Sequence, residues 1–425
     1  MDAARIRKVA VIGDGPAGTT VAAFLARAGL GVTLFARGRP NALVVGESMV
    51  PAAIPILRQL GVEAEVSGYS MLKPGAIFVI DPEHSIEIDF AQASTNIPGY
   101  AYNVPRERFD ATLMAACQRS GVRVVKASAR LVREAEDGVR LTRETLDDAG
   151  IAPADAPDLT IDASGRSRVI PRLLKLPTKA GERRDDALFA HCSDVPIDRA
   201  GHVHSDRLDH GWCWRIPLRD RVSLGVVAQP EILRAFGDTP EAQYDAVLAR
   251  DSHLAAIAPA ARRITPVVRY TNYQSTTLRG AGQGWALAGD ALGFIDPIFS
   301  SGLYLALDSA RNLARAILDG GQRSLEAYAR HQLRHIETWR TIADIFYDGR
   351  FFALMRMRDE ATRSLLGRVI TPHLNKYLPR VFTGEGTAQR YAPFLLNLMA
   401  RAAGREPDLE QLRIRDARTA IRYQQ

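Results

Sequence analysis

Short apolar runs recur along the first three hundred residues, and their composition predicts a parallel β-sheet. Each run is rich in aliphatic and β-branched side chains, which is typical of a strand buried on both faces. The predicted strands lie at residues 8–12, 32–35, 123–126, 159–162 and 285–288. A helix is predicted over residues 19–28, between the first two strands, so that a βαβ unit opens the chain.

Two other stretches have the pattern of antiparallel sheet. Residues 69–100 hold candidate strands at 76–80 and 85–89, with Pro82 and Glu83 in the turn between them. Residues 186–230 hold a tryptophan-containing strand followed by a second strand at 222–227. Because these blocks interleave with the parallel strands, we expect them to form one second domain.

These patterns predict a mixed α/β fold with three parts. The first is a discontinuous Rossmann-like domain, the second a β-sheet substrate domain, and the third a C-terminal helical region interrupted near Pro372, Pro379 and Pro393. The predicted bounds are 1–68, 101–185 and 275–323 for the first, 69–100 and 186–274 for the second, and 324–425 for the third.

The composition is that of an ordinary globular protein, and at 425 residues the chain should hold more than one packed unit. No apolar run reaches the roughly 18 residues that span a bilayer, and the first strand begins too early to leave room for a signal peptide. Cys117, Cys192 and Cys213 show neither paired spacing nor the spacing of metal ligands. We therefore expect a cytoplasmic protein without a structural metal.

The net charge of +7 is concentrated near the C-terminus, where residues 331–425 hold 16 Arg and Lys against 10 Asp and Glu. This excess is typical either of a solvated helical face or of a docking surface for an acidic partner, such as a carrier protein or another enzyme. The basic residues are dispersed and no nucleic-acid-binding module accompanies them, which disfavours nucleic acid as a partner.

A glycine loop, G-D-G-P-A-G at residues 13–18, follows the first strand and opens the first helix. In this context the glycines allow a tight turn, and a dinucleotide pyrophosphate can approach the helix N-terminus. The position that ends the second strand, where an acidic residue usually binds the ribose, holds Ala36. The ribose must be held by another group, for which Arg37 and Arg106 are candidates.

Two tryptophans in the segment W-C-W-R-I-P, residues 212–217, are the most distinctive feature of the chain. Side chains two residues apart on a strand point to the same side, so Trp212 and Trp214 should form a rigid aromatic wall between two compartments. A second distinctive stretch holds Lys73 shortly before a glycine and a phenylalanine, and a third reads F-I-D-P-I-F-S-S-G at residues 294–302.

Together these segments resemble the flavin-dependent halogenases, within the superfamily of FAD monooxygenases. The resemblance covers residues 6 to about 310, and further matches stand at E-S-M-V-P, V-P-R-E-R-F-D, D-A-S-G and G-D-A, which begin at residues 47, 104, 162 and 289. It implies a Rossmann-like FAD-binding domain interleaved with an antiparallel substrate domain. It also implies an oxidoreductase of secondary metabolite biosynthesis that brominates or chlorinates an aromatic substrate.

The resemblance assigns most of the site residues. It implies that Ser301 and Gly302 bind the halide, chloride or bromide, through backbone N–H groups at a helix N-terminus. The residues it assigns to FAD are Gly13, Gly15, Pro16, Ala17, Gly18, Arg37, Ser48, Arg106, Asp162, Gly165, Gly289, Asp290 and Pro297. The sequence has no second glycine loop for NAD(P)H, which fits a separate flavin reductase that supplies the reduced FAD. Some relatives bind nicotinamide without such a loop, so internal hydride supply stays an alternative.

In the family, the lysine at the position of Lys73 lies in a passage between flavin and substrate. Burial there lowers its affinity for a proton, so that it can bind hypohalous acid or become halogenated. Trp212 and Trp214 would keep the substrate away from the flavin. Halogenases of free tryptophan carry a glutamate where Phe299 stands, which implies a more electron-rich phenol or pyrrole, free or tethered to a carrier protein. Candidates for a base are His191, His202, His204 and His210.

Two other classes of flavoprotein share the cofactor motifs. One is the aromatic hydroxylases, or monooxygenases, together with related flavin reductases, and the other is a flavoprotein that binds a substrate or partner without halogenating it. The first of these classes is not expected to combine the Trp pair, Lys73 and the loop at 294–302, whereas intact motifs do not exclude the second. Halide-dependent product formation distinguishes the halogenase from both.

Overall fold

Two β-sheets build the fold of the computed structural model, which describes residues 6–38, 43–81, 84–134, 137–348, 350, 380–389 and 394. The first sheet is parallel except at one edge, where β17 runs antiparallel to β18. Its strands in spatial order are β17 (Ala281–Gly282), β18 (Trp285–Leu287), β10 (Leu159–Asp162), β1 (Lys8–Ile12), β2 (Gly31–Phe35) and β7 (Arg123–Val125). This is the predicted Rossmann-like sheet.

The second sheet combines both predicted antiparallel blocks. Every neighbouring pair is antiparallel except β12 and β4, which are parallel. Its strands in spatial order are β19 (Gly293–Phe294), β16 (Val268–Thr277), β11 (Thr178–Ser193), β14 (Val222–Ala228), β13 (Gly211–Pro217), β12 (Val203–Leu208), β4 (Gly75–Asp81) and β5 (His84–Asp89), with β15 (Arg262–Arg263) beside β11. Both predicted blocks thus contribute strands to one sheet.

The longer helices surround the first sheet or lead away from it. They are α1 (Pro16–Arg27), α5 (Arg106–Arg119), α11 (Ser301–Asp319) and α12 (Gln322–Tyr347), with α1 packed against α5 and α11. The shorter helices are α2 (Ile54–Leu60), α3 (Glu63–Tyr69), α4 (Phe90–Ala93), α6 (Arg143–Asp148), α7 (Val169–Leu174), α8 (Pro230–Ala235), α9 (Pro240–Arg250) and α10 (Ser252–Ile257). No helix in the described part of the chain is long and apolar enough to cross a membrane.

Smaller two-stranded sheets accompany the two large ones. One is formed by β3 (Met71–Lys73) and β6 (Ala101–Asn103), the other by β8 (Leu131–Arg133) and β9 (Val139–Leu141). The first helix begins at Pro16 and not at residue 19, because proline is well suited to the first position of a helix.

The predicted fold class is confirmed, whereas the domain boundaries remain a prediction. The turn at Pro82 and Glu83, and the helices predicted around Pro372, Pro379 and Pro393, lie outside the described residues.

Three structural features meet where the site lies. Strands β1 and β10 end side by side at Ile12 and Asp162, and the first residues of helix α11 line one cavity together with residues of strand β13. The carboxyl edge of a parallel sheet is where doubly wound folds bind their ligands.

Candidate active site

A cavity of about 380 Å³ lies between the first sheet, the second sheet and the start of α11. It therefore brings together the segments that the sequence pattern singled out. Its lining includes Gly15, Pro16, Ala17, Ser48, Arg106, Gly165, Trp212, Trp214, Gly289, Asp290, Pro297 and Gly302.

The glycine loop packs tightly against the turn after β10. A Cβ on Gly13, whose φ is +110°, would lie 2.3 Å from the carbonyl oxygen of Ala163, and a Cβ on Gly18 would lie 1.9 Å from the carbonyl oxygen of Gly13. These two glycines shape the loop, while Gly15 lines the cavity. Helix α1 has no side-chain cap and no acidic residue in its first turn, so its positive end is available to an anion such as a pyrophosphate.

Arg106 is a fixed cation at the edge of the cavity. Its guanidinium donates two hydrogen bonds of 3.0 Å to Asp110 and one of 2.8 Å to the carbonyl oxygen of Val45. The other candidate for the ribose, Arg37, is exposed and is not among the described residues that line the cavity. Of the two arginines, Arg106 is therefore the one that lines the cavity.

Asp162 lies behind the cavity wall and is completely buried. It accepts hydrogen bonds from the backbone N–H groups of Ser164, at 2.9 Å, and Ile170, at 2.7 Å. These bonds hold the turn that presents Gly165, with φ of +61°, to the cavity. Asp162 is thus placed to shape the turn.

Arg166 and Tyr270 also line the cavity, although the sequence did not lead us to predict them. The guanidinium of Arg166 lies 3.9 Å from the centroid of the Tyr270 ring, which is a cation–π contact. Arg166 directly follows the D-A-S-G segment and could have been found from that position. Tyr270 belongs to no recognisable motif.

Lys73, at the end of β3, is only 2% exposed. Its Nζ donates hydrogen bonds of 2.8 Å to Ser48 Oγ and 3.1 Å to the carbonyl oxygen of Met49, and lies 5.3 Å from the centroid of the Phe90 ring. Burial lowers the pKa of Lys73 to about 7. Ser48 lines the cavity, so Lys73 is one hydrogen bond away from it.

Trp212 and Trp214 form an aromatic wall on strand β13, here called the Trp wall. Their ring centroids are 5.8 Å apart and their planes are inclined by 51°. Trp214 donates from Nε1 to Ser223 Oγ at 3.2 Å, and its ring lies over Gly225, where a Cβ would approach ring carbons to 2.1 Å. The prediction that both indoles face one side of the strand agrees with their shared place in the cavity lining.

The intervening residues of β13 point to the opposite face of the sheet. There Arg215 donates from Nε to Asp206 at 2.6 Å and from Nη2 to His204 Nδ1 at 3.0 Å. Arg215 and Asp206 are 3% and 0% exposed, and this buried ion pair joins β12 to β13 behind the Trp wall. The pKa of His204 is lowered to about 4, mainly by burial and to a smaller extent by the charge of Arg215. The imidazole of His204 is therefore neutral near pH 7.

Residues 296–302 lead into helix α11 and are here called the halide loop, because the resemblance assigns halide binding to Ser301 and Gly302. Ser300 has a φ of +56°, and α11 has neither a side-chain cap nor an acidic residue in its first turn. Gly302 lines the cavity and has open space where a Cβ would stand, while Ser301 is buried beside it. A second uncapped helix N-terminus therefore faces the same cavity as α1.

Phe299, within the halide loop, packs among other phenylalanines. Its ring centroid lies 5.3 to 5.7 Å from those of Phe78, Phe346 and Phe382, and all four side chains are buried. The position that carries a glutamate in halogenases of free tryptophan is thus the centre of an apolar aromatic cluster. A carboxylate at this point would be buried among phenyl rings.

Among the four candidate histidines, His191 contacts a residue that lines the cavity. Its Nε2 lies 2.8 Å from Glu47 Oε1, and Arg221 donates from Nε to its Nδ1 at 3.0 Å. Because a guanidinium only donates, Nδ1 must accept and Nε2 carries the proton that bonds Glu47. His202 lies 3.6 Å from Glu87, and His210 lies against Phe236.

A sequence profile of the tryptophan halogenases matches residues 81–351. The chain is 28% identical over 360 residues to a tryptophan 2-halogenase of Chondromyces crocatus, covering 80% of this chain and 68% of that one. It is 27% identical over 348 residues to the 1H-pyrrole-2-carbonyl-[peptidyl-carrier protein] chlorinase of Pseudomonas fluorescens, covering 73% of this chain and 75% of that one.

A solved structure agrees with these relatives. The myxobacterial chondrochloren halogenase CndH, described as a variant of the FAD-dependent halogenases, has a TM-score of 0.71 and 26% identity, with 93% of this chain and 97% of that one covered. Since the family profile spans well over half of the sequence, the chain belongs to the tryptophan halogenase family, whose members are flavin-dependent enzymes.

Proposed function

We propose that the protein is a flavin-dependent halogenase that uses reduced FAD, oxygen and chloride or bromide to halogenate a phenolic or pyrrolic ring. One observation carries the proposal. A single cavity is lined by the glycine loop, the Trp wall and the start of the halide loop, and Lys73 reaches that cavity through Ser48. Each of these elements also occurs alone in proteins that do not halogenate, whereas their convergence on one cavity fits this chemistry.

The residues of the cavity fit FAD. The uncapped end of α1 suits a pyrophosphate, and Arg106 and Arg166 add positive charge near it. Asp290 lines the same cavity, where a carboxylate can accept hydrogen bonds from ligand hydroxyl groups. When bound, reduced FAD together with oxygen supplies the oxidation of halide to hypohalous acid.

The chain's own residues then have three tasks. The N–H groups of Ser301 and Gly302 bind the halide at the positive end of α11. The Trp wall keeps the aromatic substrate from the flavin, which disfavours direct hydroxylation. Lys73, whose pKa is lowered to about 7 by burial, has a neutral fraction at physiological pH. The amine can hydrogen-bond hypohalous acid, or it can take the halogen to form a haloamine while its proton and the hydroxide leave as water.

The proposed substrate class rests on Phe299. A glutamate at this place in halogenases of free tryptophan helps to deprotonate the ring intermediate, and here a phenyl ring packs among Phe78, Phe346 and Phe382 instead. A phenol or pyrrole is electron-rich enough to react without such a base. The relative from Pseudomonas fluorescens is named for a pyrrole on a peptidyl carrier protein, which supports a tethered substrate.

The test of the activity starts from protein loaded with FAD and reduced without oxygen. It is mixed with oxygenated buffer with and without bromide, in the presence of a panel of free and carrier-bound phenols and pyrroles, and products are identified by mass spectrometry. We expect a product that carries bromine and requires bromide. A hydroxylated product that forms equally without bromide would assign the protein to the aromatic hydroxylases.

Two partners are part of the proposal. A separate flavin reductase would supply reduced FAD, and an acidic carrier protein would dock on the basic C-terminal region. Charge reversal of Arg356, Arg358 and Arg363, which lie outside the described residues, should weaken carrier binding in a salt-dependent manner. An affinity unchanged by all three substitutions would remove the carrier from the proposal and leave a free substrate.

A further inference from the structure

A chain of hydrogen bonds joins the Trp wall to the halide loop through one tyrosine at the end of helix α12. Trp212 donates from Nε1 to the hydroxyl of Tyr347 at 3.0 Å, and that hydroxyl lies 3.0 Å from Asp296 Oδ1. The same carboxylate oxygen accepts the backbone N–H of Ile298 at 3.0 Å. Trp212, Asp296 and Ile298 all line the cavity, so the chain spans two of its walls.

The direction of each hydrogen bond follows from the chemistry of the groups. An indole N–H can only donate, and an ionised carboxylate can only accept. The Tyr347 hydroxyl must therefore accept from Trp212 and donate to Asp296. Burial raises the pKa of Tyr347 well above its usual range, so the phenol keeps the proton that it donates.

The ring of Tyr347 is also held by a cation–π contact. The guanidinium of Arg183 lies 3.8 Å from the centroid of the Tyr347 ring and forms an ion pair of 2.8 Å with Asp185. The preceding residue, Phe346, packs at 5.6 Å from Phe299 in the halide loop. The end of α12 therefore contacts both the loop and the wall, and the phenol oxygen is the atom at which they meet.

We infer that Tyr347 is a positioning residue that fixes the Trp wall relative to the halide loop. With the wall in place, hypohalous acid that forms beside the loop moves towards Lys73 and does not pass the wall. The inference rests on the proposed function. Tyr347 takes no part in the chemistry, because its hydroxyl accepts from Trp212 and donates its single proton to Asp296. Its effect is on how much of the oxidant reaches the substrate.

The variant that tests this role is Tyr347→Phe, which removes the hydroxyl and keeps the ring that stacks with Arg183. The matched control is Tyr328→Phe on the same helix, because Tyr328 is also buried and donates to the carbonyl oxygen of Leu287 at 2.7 Å, away from the cavity lining. Tyr347→Phe loses the hydrogen bonds to Trp212 and Asp296, and Tyr328→Phe loses the one to Leu287. Each variant therefore removes a buried, hydrogen-bonded phenol hydroxyl, and both should be destabilised.

The first readout needs neither cofactor nor turnover. The two indoles of the Trp wall, 5.8 Å apart and inclined by 51°, should couple and give a characteristic circular dichroism couplet in the tryptophan bands. We expect Tyr347→Phe to reduce this couplet and Tyr328→Phe to leave it unchanged. An unaltered couplet in Tyr347→Phe would show that the hydroxyl does not orient Trp212, and would overturn the inference.

The second readout is the ratio of brominated product to oxygen consumed. We expect Tyr347→Phe to lower this ratio several-fold while oxygen consumption stays within about twofold of wild type, and free hypobromous acid should rise accordingly. In a Trp212→Phe background, which already lacks the indole donor, Tyr347→Phe should add little to the loss. An equal fall of the ratio in Tyr328→Phe would assign the effect to general stability and overturn the inference.

The two readouts also separate the inference from the function on which it rests. If the wild type gave no halide-dependent product, the proposed function would fail. The circular dichroism comparison would still decide whether Tyr347 positions the Trp wall.

Discussion

Lys73 shows how a single buried side chain links stability to reactivity. Its amine has a hydroxyl and a carbonyl oxygen as hydrogen-bond acceptors, and among the described residues no carboxylate forms an ion pair with it. Burial therefore lowers its pKa to about 7, against 10.5 in the unfolded chain. A substantial fraction of the amine is therefore neutral near pH 7, and the neutral amine is the form that can accept an electrophilic halogen.

The pH dependence of stability should reveal this lowered pKa. Between about pH 7 and pH 10.5 the unfolded chain binds a proton at Lys73 that the folded protein does not, so folding becomes more favourable as the pH rises through this window. Relative to Lys73→Met, the wild type should gain unfolding free energy on the order of 4 kcal/mol across it. Chemical denaturation at several pH values measures this difference, and parallel curves for the two proteins would contradict the assignment.

Gly225 is a second residue whose role can be tested alone. Any Cβ at this position would overlap the ring of Trp214, so Gly225→Ala should displace that indole and cost about 1 to 3 kcal/mol of stability. Gly68→Ala is the matched control, because Gly68 lies in helix α3 with open space around it and alanine there should stabilise by about 0.5 to 1 kcal/mol. Thermal unfolding compares them, and equal effects would show that the Trp214 ring adjusts freely.

At the scale of elements, strands β12 and β13 hold the Trp wall from behind. Their buried pair, Arg215 and Asp206, occupies the face of the sheet opposite to the indoles. Because the two strands are joined there by charges as well as by backbone hydrogen bonds, the wall has a rigid support. The same alternation along β13 explains why W-C-W-R-I-P carries apolar residues towards the cavity and an arginine away from it.

Breaking this ion pair should be costly, because it leaves an unpaired buried charge. We expect Asp206→Ala to lower the unfolding free energy by about 3 to 5 kcal/mol. The double variant Asp206→Ala with Arg215→Met, which removes the remaining charge, should recover much of that loss. Urea denaturation of the wild type, the two single variants and the double variant measures this coupling, and strictly additive effects would mean that the pair contributes nothing as a pair.

At the scale of the whole molecule, the cavity joins both sheets and the start of α11, so ligand binding should stabilise the entire fold. FAD at about 100 times its Kd should raise the unfolding free energy by about 2.7 kcal/mol. NADPH at the same concentration should have little effect, since the sequence holds a single dinucleotide loop. Thermal shift assays compare the two ligands, and equal stabilisation by NADPH would contradict the prediction of a separate reductase.

Much of this architecture follows from local sequence pattern. Strands β1 and β10 have the predicted bounds, because their apolar runs are short and end at glycine or alanine turns. The glycine loop, the Trp pair and the halide loop stand out because their residue types are unusual for ordinary strands and turns. These are features that one segment carries by itself.

The remaining parts of the site depend on contacts between distant segments. Tyr347 lies 135 residues from Trp212, and Glu47 lies 144 residues from His191, so neither pair has a signature in the sequence. Asp162 matched a cofactor motif, yet its side chain supports the turn behind the cavity. Such roles depend on tertiary packing, which a local sequence pattern does not predict.

The most direct test of the account is whether Lys73 delivers the halogen to the substrate. Reduced, FAD-loaded wild type and Lys73→Ala are mixed with oxygen and bromide, and brominated substrate is measured beside free hypobromous acid caught by monochlorodimedone. We predict that the wild type brominates its substrate. Lys73→Ala should consume oxygen at a similar rate and release free hypobromous acid. Its yield of brominated substrate should fall by about 10² to 10⁴, the loss of rate that is typical when a proton-transferring group is removed. Bromination by Lys73→Ala at the rate of wild type would contradict the account.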